Sequence, residues 1–222
     1  AASADRQFTF TILHMGCIGV RSLRVCVLLL LILSASAAFA DTVSIRLTGV
    51  NGAIGNGVYV GPYYGLVNGN AVTLICDDYV NVARIGQTHD AYVSTFADLS
   101  HTLYGAAAGA LDKYRQVAWL SDQFASTSTS VWGDIHFALW SIFNPSVVPL
   151  STGASWWRSQ AILNGTGNTA MDARYVIYTP VIAGASQEFL SPIPTPEPES
   201  IILLATSLLG AVFLRRRMTR LN

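Results

Sequence analysis

Polar and apolar positions alternate most cleanly over Thr42–Val50, with Val43, Ile45 and Leu47 on one face and Ser44, Arg46 and Thr48 on the other. A period of two marks a half-buried strand. Val58–Tyr64 and Ala71–Asp77 also read as strands, with Asn68-Gly69-Asn70 as a hairpin turn before the second and a Gly/Asn-rich turn at Asn51–Gly57 before the first. The period then lengthens. Tyr114, Val117, Ala118, Ser121 and Phe124 share one helical face, and Val131, Ile135, Ala138, Leu139 and Ile142 form a second stripe stopped by Asn144-Pro145. Ser155–Leu163 predicts a third helix ended by Asn164-Gly165, and Ala125–Ser130 an exposed loop between the first two. Tyr175–Thr179 and Gln187–Leu190 read as closing strands. Strands, then helices, then strands predict an α+β fold: an antiparallel β-sheet or sandwich with a central helical insertion of two to three helices.

The two ends follow neither period. Arg21 and Arg24 precede the apolar run Val25–Leu33, and Ser34–Ala40 supplies small residues with Ala38 and Ala40 at Ala-x-Ala spacing. That is a basic region, an apolar region and a cleavage site, so residues 1–40 read as a leader that signal peptidase cuts after Ala40, with Met15 as the expected start. Residues 191–200 form a Pro-rich linker, with Pro at 192, 194, 196 and 198. Residues 201–214 carry no charge and are expected to form a transmembrane helix, and 215–222 a basic cytoplasmic tail headed by Arg215-Arg216-Arg217. The exported domain is therefore expected over 41–190.

Charge supports this division. The chain has 222 residues, 51% of them hydrophobic and 12% charged, with no net charge. Disorder along the whole length is excluded, and no basic surplus exists for a nucleic-acid partner. Seven of the 13 basic residues lie at the ends, whereas residues 41–194 hold six basic against ten acidic residues.

Pro196-Glu197-Pro198, a short apolar helix and an arginine cluster, in that order, closely resemble the PEP-CTERM sorting signal of Gram-negative bacteria. The resemblance implies recognition by an exosortase, cleavage near Pro196–Pro198, a transient anchor in the inner membrane and release to the cell surface or extracellular matrix.

After leader removal Cys76 is the remaining cysteine, so no internal disulfide can form. The carboxylates of Asp77 and Asp78 disfavour its thiolate. Three blocks resemble those of surface thioester domains: Ile75-Cys76-Asp77, Arg115-Gln116-Val117-Ala118-Trp119-Leu120 and Ile135-His136-Phe137-Ala138-Leu139-Trp140. In that family a Gln in the third block acylates the cysteine. Here His136 stands at that position, which implies a degenerate member without the cross-link. Two alternatives keep chemistry at Cys76: a covalent adhesin with a thioester between Cys76 and Gln116, and a hydrolase pairing Cys76 with His136, oriented by Asp134 or Asp112.

His89 and His101 read as surface residues, and nothing clusters as metal ligands or calls for a cofactor. Trp119, Trp132, Trp140, Trp156 and Trp157, with Tyr59, Tyr63 and Tyr64, invite sugar stacking, although Trp119 and Trp140 end apolar stripes and are expected in the core. The sequence thus predicts an exported, non-catalytic protein of the surface or matrix that serves adhesion or associates with extracellular polysaccharide, with exosortase, signal peptidase and, transiently, the inner membrane as its other expected partners.

Overall fold

The computed structural model describes residues 42–146 and 148–193. Ala38, Ala40, Pro196, Glu197, Pro198, Arg215, Arg216 and Arg217, with the expected transmembrane helix, lie outside these residues. Among the described residues no helix is long and apolar enough to cross a membrane.

The chain runs β1 (Thr42–Val50), β2 (Ile54–Gly55), β3 (Val58–Tyr59), β4 (Tyr63–Val67), β5 (Asn70–Cys76), β6 (Thr88–Ser94), α1 (Ala110–Ser126), α2 (Trp132–Phe143), α3 (Thr152–Gly165), β7 (Tyr175–Pro180) and β8 (Phe189–Pro192). Six strands close into a barrel in the order β1-β4-β5-β8-β7-β6, and every paired neighbour is antiparallel. The expected antiparallel sheet and helical insertion are present, but the sheet is a closed barrel rather than a sandwich. Closure removes the unpaired edges that an open sheet would present.

β4 and β5 form the hairpin expected around Asn68-Gly69, both of which sit at positive φ. The stretch read as one strand over Val58–Tyr64 is divided between β3 and β4. β3 pairs only with β2, through an Asn56-Gly57 turn whose two central residues are left-handed. Such a turn matches the twist of a tight hairpin. β6 was not expected, because Thr88–Ser94 is mostly polar and only Ala91 and Ser94 are buried. It nevertheless bridges β1 and β7 and completes the barrel. Ala125 and Ser126 finish α1 rather than entering a loop, and β8 continues to Pro192, two residues into the stretch read as linker.

Helical and barrel residues share one core. Tyr114, Val117 and Phe124 of α1 and Ile135, Leu139 and Ile142 of α2 are buried in the same cluster as Ile45, Leu74, Ile177 and Leu190 from the strands. Ser151 caps α3 by accepting from the Ala154 N–H at 2.9 Å.

Candidate functional site

Cys76 ends β5 and is fully buried. His136 and Trp140 lie one helical turn apart on α2, so both reach the same point. His136 Nε2 donates to the Cys76 carbonyl at 2.7 Å and Trp140 Nε1 donates to the same oxygen at 3.0 Å. The other ring nitrogen, His136 Nδ1, accepts from the Gly61 N–H at 2.8 Å. Gly61 needs to be glycine twice over: its φ is +86°, and a side chain would strike Trp132 and Asn51. His136 is therefore a neutral imidazole with its proton on Nε2. Burial pulls its pKa down to about 4, against a smaller upward pull from the Cys76 carbonyl.

These bonds hold backbone and leave the thiol outside them. Cys76 Sγ donates to the Asp78 carbonyl at 3.2 Å. Burial pushes the thiol pKa well up, and Asp77 and Asp78 push it further. Gln116 is turned elsewhere, its Nε2 donating to Thr166 Oγ1 at 2.9 Å. Asp134 accepts from Ser151 at 2.5 Å and Asp112 pairs with Arg115, so neither carboxylate orients His136. Of the three candidates, the structure joins Cys76 and His136 through a main-chain carbonyl and leaves Gln116 apart.

The residues after Cys76 build two different environments. Asp77 lies opposite Glu188 at the β5–β8 junction, where its N–H meets the Glu188 carbonyl at 3.4 Å. Both side chains are fully buried. Glu188 accepts from the Leu103 N–H at 2.6 Å, from Tyr114 OH at 2.6 Å and from Thr179 Oγ1. Neither Asp77 carboxyl oxygen has a hydrogen-bond partner among the described residues. The arrangement fits a protonated, neutral Asp77 beside a Glu188 carboxyl that takes three donors. Burial raises the Asp77 pKa well above the usual carboxylate range, and the charges of Glu188 and Asp78 add to the rise. Sequence reasoning noted Asp77 only as a neighbour of the thiol and missed Glu188 and Tyr114.

On the other side Asp78 knots a loop, its carboxylate accepting from the N–H groups of Val80 and Asn81 and from Asn81 Nδ2. The loop's far end is tied by the Gly86 N–H to the Leu47 carbonyl at 2.8 Å. Between these ties the loop and the β2–β3 hairpin enclose a cleft of about 710 Å³. Tyr59, Tyr63, Tyr79 and Trp140 give it aromatic walls, and Asn81, Arg84 and Gln187 give it polar groups. Trp140 stacks on His136 at 4.0 Å and meets Tyr79 at 5.2 Å, so the clamp on Cys76 is also the cleft floor. Tyr63 is nearly buried and donates to the Tyr59 carbonyl at 2.7 Å, whereas Tyr59 itself is 49% exposed. Tyr79 and Arg84 were not singled out from sequence, since an isolated aromatic and an isolated cation in a loop carry no period.

The other aromatic candidates scatter. Tyr64 and Trp132 line a separate groove of about 1050 Å³ that also holds Asp122, Arg174 and Ile193. Trp156 is exposed against Trp157, which in turn meets a half-buried Trp119. Trp140 is in the core, as expected. His101 is exposed, but His89 is half-buried with both ring nitrogens unpartnered, which corrects its reading as a surface residue.

No curated protein and no solved structure matches this chain. Residues 194–217 match the family described as the PEP-CTERM protein-sorting motif, a match that covers the tail and not the barrel. The chain carries an exosortase sorting signal, and with it export and membrane-anchored sorting toward the cell surface.

Proposed function

We propose that this is a non-catalytic protein of the cell surface or extracellular matrix that associates with extracellular polysaccharide through the Tyr59–Tyr79 cleft. One observation carries the reading: the cleft presents an exposed Tyr59 and a half-buried Tyr79 beside polar groups, on a body whose tail addresses it to the surface. Aromatic faces suit the C–H faces of sugars, and a few fixed polar groups suit their hydroxyls. Retention of the full chain on immobilised polysaccharide tests it. Tyr59→Ala should abolish retention without unfolding the barrel, and unchanged retention would sink the assignment of the cleft.

The geometry weighs against both covalent alternatives. A nucleophile needs access and a base, whereas Cys76 is buried and both His136 nitrogens are engaged by main chain. The likeness to thioester domains is supported in arrangement, because two third-block residues bond the first-block cysteine. An imidazole supplies no acyl carbon, and Gln116 is committed to Thr166. Loss of one ammonia in the intact mass of the purified protein would instead establish a thioester.

A further inference from the structure

Resting on that polysaccharide reading, we propose that the cleft selects an acidic polysaccharide, with Arg84 receiving a sugar carboxylate.

The charge pattern of the cleft departs from that of the body around it. Residues 41–194 hold ten acidic and six basic residues. Among the described residues no acidic one lines the cleft, and Arg84 is its one charged lining residue. Arg84 is exposed, and among the described residues no carboxylate pairs with it. An unpaired guanidinium offers a planar fork that fits a carboxylate through two parallel bonds.

The neutral groups beside it fix the rest of the ligand. Asn81 Nδ2 donates to Asp78 Oδ2 at 2.7 Å, and Gln187 Nε2 donates to the Asp78 carbonyl at 2.9 Å. Each amide spends a donor on the protein and keeps its oxygen as an acceptor, which calls for a hydroxyl on the ligand. Asp78, in the same loop, is buried and receives three hydrogen bonds, so it organises the loop without facing the cleft opening. Carboxylate, hydroxyls and C–H faces occur together on a uronate sugar. Phosphate alone has the charge and lacks the other two. The loop is tied at both ends, so Arg84 is presented by a braced segment. Repetition of the same sugar along a polymer would turn a modest single contact into useful avidity.

The full chain should be tested by affinity electrophoresis with polygalacturonate, with its methyl-esterified form and with polyphosphate. Esterification removes the charge and keeps the sugar. The proposal expects about tenfold tighter binding of polygalacturonate than of the ester at low salt, a difference that shrinks as screening increases. Arg84→Gln should erase the difference, and Arg84→Lys should restore part of it. Equal binding of the two polymers, with loss of both in Tyr59→Ala, would overturn the charge selection and leave the cleft assignment standing. Polyphosphate binding as tight as polygalacturonate would overturn the sugar requirement. Binding of none of the three would remove selection and cleft assignment together.

Discussion

The cleft and the acid cage begin at adjacent residues and solve opposite problems. The cleft is open and aromatic, carries one cation and keeps polar atoms free for a ligand. The cage around Asp77 and Glu188 is sealed, carries two carboxyl groups and spends its donors internally. Both are fed by Cys76–Tyr79: Cys76 is held by the cleft floor, Asp77 enters the cage, Asp78 knots the loop and Tyr79 lines the cleft. Substitutions in the cage should therefore change stability, and substitutions in the cleft should change binding.

The largest effect is expected from Glu188→Ala. It strands the buried Tyr114 OH and Thr179 OH and unties the part-buried Leu103 N–H, at a cost of about 3–5 kcal/mol in denaturant unfolding. A loss under 1 kcal/mol would mean the cage is wet and the contrast with the cleft false.

A second, smaller effect concerns protons. The Asp77 pKa is raised on folding, so the stability it contributes is full below its unfolded value of about 3.9 and is lost as pH rises toward its folded value. His136 works the other way. Its pKa falls to about 4, so its contribution is full above about 6.5 and is lost as pH drops through that window. The two slopes oppose each other wherever both groups titrate. Asp77→Asn keeps the side-chain shape and removes the titrating proton. It should remove the falling limb and leave the rising His136 limb. Chemical denaturation at several pH values measures both limbs.

The smallest effect is expected at the thiol. Cys76 in the folded protein should resist alkylation at neutral pH and label fully once unfolded. Rapid labelling of the native state, lost in His136→Ala, would revive the nucleophile–base reading.

These contrasts were unevenly legible in the sequence. Alternation along β1 and the Asn68-Gly69 turn announced β1, β5 and the turn that leads into β5, because a local period and a local turn suffice for them; of β4 only Tyr63 and Tyr64 fell in a stretch read as strand. Barrel closure was not legible, since it depends on β6, whose polar residues reach burial only through partners far along the chain. The meeting of Cys76 and His136 was suggested by the likeness to thioester domains, not by spacing. The cage was hidden because Glu188 looks like any surface glutamate until the β5–β8 register sets it opposite Asp77.

Hydrogen–deuterium exchange of the full chain with and without polygalacturonate tests the central claim most directly. Protection confined to Val58–Tyr59 and Tyr79–Ile85, with the amides of Leu103 and Glu188 unchanged, is the predicted result. Protection centred instead on the Tyr64–Trp132 groove, or no protection anywhere, would contradict it.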